Sequence, residues 1–236
     1  MPRKSPTPDV LDRLKSLQNP YNVAGMARFG INPRNTLGVS IPTLRTLARE
    51  IGKDHELAAE LWSSGIHEAR ILATLVDIPA MVNGAQMDRW AGDFDSWDIC
   101  DQCCSNLFCR TPLAYSKGLE WSADQREFVR RAGFVMMAAL AVKDKKAANR
   151  QFELFFTNIK MGAIDNRNFV KKAVNWALRQ IGKRNPALNR QAIALAEEIR
   201  RMDSSSARWI AADALRELNG PAVQMRLKIV NNRALR

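Results

Sequence analysis

Residues 169–186 read Phe169-Val170-Lys171-Lys172-Ala173-Val174-Asn175-Trp176-Ala177-Leu178-Arg179-Gln180-Ile181-Gly182-Lys183-Arg184-Asn185-Pro186. Helical spacing sets Lys172, Trp176, Arg179 and Lys183 on one stripe. An aromatic flanked by cations suits a nucleic-acid groove, with charge for the phosphates and a ring for stacking or sugar contact. The start of this stretch, a basic residue before an apolar helical run, recurs at residues 68–73, 129–134 and 206–211. The basic positions are Arg70, Arg131, Lys172 and Arg208, and their gaps are 61, 41 and 36 residues. The first gap is about twice a helix-pair repeat of roughly 30 to 45 residues, and the missing beat falls on Asp101. An acid then stands in a slot that is basic in the neighbouring repeats, although Gln102 follows it where the others are apolar.

The rest of the chain is also punctuated as helices, with no sustained period-two alternation. Asn19-Pro20 opens a segment that Gly30 closes, Ser40 and Pro42 open one closed by Gly52, and Asp54 caps one ending near Gly65. Further helices are expected over 67–77, 84–90, 97–108, 112–121, 126–142, 146–159, 168–183, 186–202 and 207–218. Helices without a sheet leave a bundle, a globin-like packing or a helical solenoid. The internal echo favours an all-α solenoid of helix pairs, curved, with a concave basic face. Successive second helices then line one surface, where Trp97, Asp101, Arg131, Lys172 and Trp176 are expected to converge. The expected organisation is a flexible arm and first helix over 1–18, one repeat domain over 19–220, and a basic segment over 221–236.

Charge is uneven. Residues 1–125 hold 13 Lys+Arg against 15 Asp+Glu, a net of −2, and residues 126–236 hold 23 against 9, a net of +14. That asymmetry favours a polyanion as partner of the second half. Hydrophobic residues are 46% and charged residues 25%, as in soluble globular proteins, and no apolar run is long enough to span a membrane. The basic, proline-rich start lacks the apolar core of a secretory signal. Cys100, Cys103, Cys104 and Cys109 crowd one helix, which fits a reducing cytoplasm better than a disulfide framework. No His lies near them and no second Cys-x2-Cys exists, so no metal or other cofactor is expected. With only His55 and His67 in the chain, Ser-His-Asp and Cys-His catalysis find no support.

The segment Ser96-Trp97-Asp98-Ile99-Cys100-Asp101 sets an indole and a carboxylate four residues apart on one helix face. It belongs to an acidic cluster, Asp88, Asp93, Asp95, Asp98 and Asp101. Plainer readings stand beside the chemical one. Trp97 and Trp176 fit as core aromatics, Asp101 as a solvated helix acid, and Arg131 as the i,i+4 partner of Glu127. Asp98 points to another face and reads as structural or capping. Trp62, Trp90, Trp121 and Trp209 read as packing residues.

Taken in order, Trp97-Asp98-Ile99-Cys100-Asp101, Val129-Arg130-Arg131-Ala132 and Lys172-Ala173-Val174-Asn175-Trp176-Ala177-Leu178-Arg179 resemble the AlkD-type DNA alkylation repair glycosylases, a family of HEAT-like repeats. Leu37 to Arg45 and His67-Glu68-Ala69-Arg70 extend the resemblance to roughly residues 20–220. It implies that Trp97 and Trp176 flank the lesion's deoxyribose, that Asp101 is the catalytic carboxylate, and that Arg131 contacts the DNA backbone. Arg130 is the alternative equivalent by one residue. Arg70, Arg130, Lys172, Arg179, Lys183 and Arg208 are the candidate DNA-binding cations.

The chemistry so implied follows from the substrate. A purine alkylated at N3 or N7 is cationic and already a good leaving group, so no general acid is needed. A nearby carboxylate stabilises the positive charge that develops on the sugar and orients or deprotonates water. The expected protein is a monomeric, cytoplasmic, cofactor-independent alkylpurine DNA glycosylase. It takes 3-methyladenine and 7-methylguanine from double-stranded DNA, contacts no membrane, and leaves an abasic site. A non-catalytic DNA-binding solenoid and a protein-interaction scaffold are the alternatives.

Overall fold

The structure is a computed structural model that describes residues 6–234, with side chains to Ile229. Among the described residues there are helices and no strand. The chain divides after Leu113 into two compact units. The first holds α1 (Thr7–Ser16), α2 (Pro20–Arg28), α3 (Ile41–Ile51), α4 (His55–Ser63), α5 (His67–Val76), α6 (Gly84–Gly92) and α7 (Trp97–Asn106), then a 3-10 turn, Phe108–Arg110. The second holds α8 (Ala114–Ser122), α9 (Glu127–Lys143), α10 (Asn149–Glu153), α11 (Phe155–Gly162), α12 (Asn168–Gly182), α13 (Pro186–Arg200), α14 (Ser205–Leu218) and α15 (Pro221–Ala234).

The expected punctuation sets the helix ends. Asn19, Ser40 and Asp54 accept hydrogen bonds from the backbone N–H three residues on, which satisfies amides that the first helical turn leaves unpaired. Asn83, Asn185 and Ser204 do the same for α6, α13 and α14. The single helix expected over 146–159 is instead interrupted at Leu154, which is exposed. Around the break Phe152 and Phe155 are both fully buried, and Tyr115 lies against each ring. The final helix, α15, was not anticipated as a helix, although Gly220-Pro221 is an ordinary stop-and-start signal.

In unit 1, α5 packs on α3, α4 and α7, and Trp62 stacks on Trp90 at 4.0 Å in its core. In unit 2, α9 lies between α8 and α12, and α14 rests on α12 and α13. Residues Ala132 to Ala141 of α9 are all buried. Gly133 sits where a Cβ would come within 2.3 Å of the Ser122 backbone nitrogen, so α8 and α9 approach at backbone contact.

Hydrogen bonds between successive helix pairs reveal the repeat. Their sequence separation is 31 residues for Leu37 with Glu68, Trp62 with Asp93 and His67 with Asp98. It is 38 for Arg131 with Phe169, Asn175 with Asp213 and Arg179 with Glu217. The shorter period belongs to unit 1 and the longer to unit 2. Arg70, Asp101, Arg131, Lys172 and Arg208 each fall on the fourth or fifth residue of α5, α7, α9, α12 and α14. The slot noticed in the sequence is one position in a repeated helix.

Candidate functional site

The N-terminus of α7 carries the chemical candidates of unit 1. Trp97 is its first residue, half-buried, and its Nε1 donates to the Phe29 carbonyl at 2.9 Å. Asp101 stands one turn on and is also half-exposed. Asp98 turns away: its Oδ2 lies 2.8 Å from Nε2 of His67, which is only 5% exposed. The other oxygen, Oδ1, is buried and has no hydrogen-bond partner.

Glu68, beside His67, is fully buried and accepts from the backbone N–H groups of Leu37, Gly38 and Val39. Burial of the imidazole lowers the His67 pKa, but the hydrogen bond to Asp98 and the charges of Asp98, Glu68 and Asp95 outweigh it and leave it raised. A raised pKa in the folded state means that protonation favours folding. This contribution is complete below the ordinary value of 6.5 and fades as pH climbs through the folded pKa. Thermal melts across that window are expected to show wild type losing stability relative to His67→Gln as pH rises. A constant difference between the two proteins would refute a charged pair.

The acidic cluster resolves into separate anchors. Asp93 accepts from Trp62 Nε1 at 2.8 Å, Asp95 accepts from Asn32 Nδ2 at 2.7 Å, and Asp98 holds His67. Arg70, expected to meet DNA, sits 5.4 Å from the Trp62 ring centroid and reaches the carbonyls of Trp62 and Asp93. The structure gives it a packing position inside unit 1.

Unit 2 carries the remaining candidates. Arg131 is 5% exposed, and its Nη1 donates to the Phe169 carbonyl at 2.6 Å, tying α9 to the first turn of α12. Its neighbour Arg130 lies 3.4 Å from Asp165. Lys172 is exposed and Trp176 half-buried on α12. With the Gln180 amide oriented to suit its neighbours, its oxygen accepts from Trp176 Nε1 at 3.0 Å and Lys183 Nζ at 3.3 Å.

Arg179 and Lys183 do not stand free on the stripe. Arg179 pairs with Asp213 and Glu217, and Lys183 lies 2.6 Å from Glu217. Burial raises the Glu217 pKa, but Lys183 and Arg179 bring it below the ordinary carboxylate value. Arg208 is mostly exposed, with Asp203 at 3.4 Å. Next to it, Trp209 receives the Lys171 ammonium 5.1 Å from its ring centroid and is exposed rather than packed in the core.

The four cysteines are buried and unbridged. Burial pushes the Cys103 and Cys104 thiols well above their ordinary pKa, so they act as small apolar side chains. Among the described residues no three His, Cys, Asp or Glu are placed to hold a metal ion, and no helix is long and apolar enough to cross a membrane.

No curated protein matches the chain in sequence. A solved structure matches its fold with a TM-score of 0.77 at 19% identity, over 94% of this chain and 96% of that one. It is described as a member of a new family of proteins related to the HEAT-like repeat DNA glycosylases, with affinity for branched DNA structures. The repeated helix pairs above are thus a HEAT-like fold. A family model described as DNA alkylation repair enzyme matches residues 10–218, from α1 to the end of α14, and the chain belongs to that family.

Proposed function

We propose that the protein is an alkylpurine DNA glycosylase that hydrolyses the N-glycosidic bond of cationic N3- and N7-alkylated purines, with Asp101 as its carboxylate. The observation that carries this reading is the placing of a half-exposed carboxylate, Asp101, one helical turn from the half-buried indole of Trp97 on α7.

The leaving group departs already charged, so the barrier lies in the positive charge that builds on the deoxyribose. A carboxylate in a partly desolvated site stabilises that charge, and orients or deprotonates the water that completes the reaction. Indole faces are negative, so Trp97, one turn from Asp101, favours the same cationic character beside the sugar, and Trp176 is the candidate of unit 2 for that role. Their nitrogens are anchored by the Phe29 carbonyl and Gln180, which fixes the rings. Arg131, held by the Phe169 carbonyl, contacts the backbone from a buried position, and exposed Lys172 and Arg208 supply further charge to phosphates. The substrate class is alkylated double-stranded DNA.

A second reading, a binder of branched DNA without chemistry, is favoured by the affinity described for the structural relative. One assay separates the two. Methylated duplex incubated with the protein is expected to release free 7-methylguanine and 3-methyladenine and leave abasic sites. Tight binding of a four-way junction with no base released would overturn the glycosylase and leave the binder.

A further inference from the structure

Unit 1 contains a cleft of about 790 Å³, set away from the start of α7, whose lining includes Arg45, Arg49, Lys53, Leu75, Asn106 and Arg110.

 It lies at the opposite end of α7 from the apolar cavity beside Trp97, a separate space of about 540 Å³. Four of the residues around that cleft are cations, and none is an acid. This is unexpected in the half of the chain whose net charge is −2 through residue 125.

Among the described residues no acid lies in an ion pair with Arg45, Arg49 or Arg110. Arg45, Arg49 and Lys53 recur every four residues along α3 and just past its end, and like charges at that spacing oppose helix formation. The nearest acids in sequence are engaged elsewhere. Glu50 pairs with Arg13, Asp54 caps α4, and buried Asp77 accepts from His55 and Gln86. Lys53 Nζ donates to the carbonyls of Leu75 and Asp77, both at 2.8 Å. Burial lowers the Lys53 pKa, and the charge of Arg110 lowers it further against the pull of Asp77. Four cations around one cleft with no acid in its lining make a place that favours an anion.

We infer that Arg45, Arg49 and Arg110 form a phosphate-binding cleft through which unit 1 grips the backbone of duplex DNA. The inference rests on the proposed DNA-directed function and adds to it a contact outside the candidate DNA-binding cations Arg70, Arg130, Lys172, Arg179, Lys183 and Arg208. Lys53 is a positioning residue here, since its ammonium is tied to the end of α5. Because the contact is with phosphates, it adds affinity without sequence preference.

The test is the salt dependence of binding to an undamaged duplex, followed by fluorescence anisotropy over a range of KCl. Each phosphate contact contributes about 0.9 to the slope of log K against log salt. The triple variant Arg45→Gln, Arg49→Gln, Arg110→Gln is expected to flatten that slope by about two to three. Arg110→Gln alone, in an exposed turn, is expected to flatten it by about one and keeps the test valid if the triple variant unfolds. Arg200→Gln, an exposed cation paired with Glu197, is the control and leaves the slope unchanged. An unchanged slope in both cleft variants, or a parent protein that binds no duplex, overturns the cleft. Base release is read separately: failure to excise 7-methylguanine with the slope effect intact would sink the glycosylase and spare the cleft.

Discussion

Replacing Asp101 by Asn is expected to slow single-turnover release of 7-methylguanine by roughly 10²–10³-fold, the scale for removing one well-placed electrostatic group. Duplex affinity is expected to hold or improve, because the change removes a negative charge from a surface that meets phosphates. The substitution conserves shape, so the loss isolates the charge. Asp98→Asn is the informative companion. It leaves Asp101 in place but weakens the partner of buried His67, and so it is expected to lower stability while leaving excision by the folded protein nearly intact. If the Asp98 variant loses the chemistry and the Asp101 variant keeps it, the assignment is reversed. If both excise as fast as the parent, no carboxylate of α7 carries the reaction.

Much of the fold was legible because it is local. The caps Asn19, Ser40 and Asp54 and the positive-φ glycines Gly30, Gly52 and Gly65 announce helix ends within a few residues of where the backbone turns. The basic slot was legible too, since a repeat writes the same position several times. What sequence spacing does not carry is the partner across repeats. Arg179 and Lys183 share a stripe with Trp176, yet the carboxylates that take them, Asp213 and Glu217, lie on α14. Arg70 matched the slot in sequence but is folded onto Trp62 and Asp93. The acids from Asp93 to Asp98 looked like one electrostatic feature because they are adjacent. Each is instead bound to a residue in an earlier repeat, at separations of 31 or 63. The cleft cations were overlooked because Arg110 is far from Arg45 and Arg49 in sequence and joins them only through the packing of unit 1.

The largest expected effect on stability lies at Glu68, a residue with no proposed role in the chemistry. Its Oε1 accepts from Gly38 N at 2.6 Å and Val39 N at 3.3 Å, and its Oε2 from Leu37 N at 2.8 Å. The loop it gathers is also tied to α2: Leu37 accepts from Asn19 N at 2.7 Å, and the Gly38 carbonyl accepts from Asn22 Nδ2 at 2.9 Å. Gly38 has φ +79, and a Cβ there would come within 2.2 Å of the Asn19 carbonyl oxygen, so the turn that aims these amides admits only glycine. Glu68→Ala removes the carboxylate's own desolvation cost but strands three amides and opens a cavity. Each buried amide left without its acceptor costs about 1–3 kcal/mol, so three of them set the sign and a net loss of about 3–5 kcal/mol. For a chain of this length that corresponds to a fall in melting temperature of about 10 °C. Because α2 ends beside Phe29, the acceptor of Trp97 Nε1, loosening the loop also frees the indole. Excision is therefore expected to weaken in Glu68→Gln even at temperatures where the variant remains folded. A melting temperature within about 2 °C of wild type in Glu68→Ala would mean that water replaces the carboxylate at those amides, and that Glu68 does not hold α2 and its loop in place.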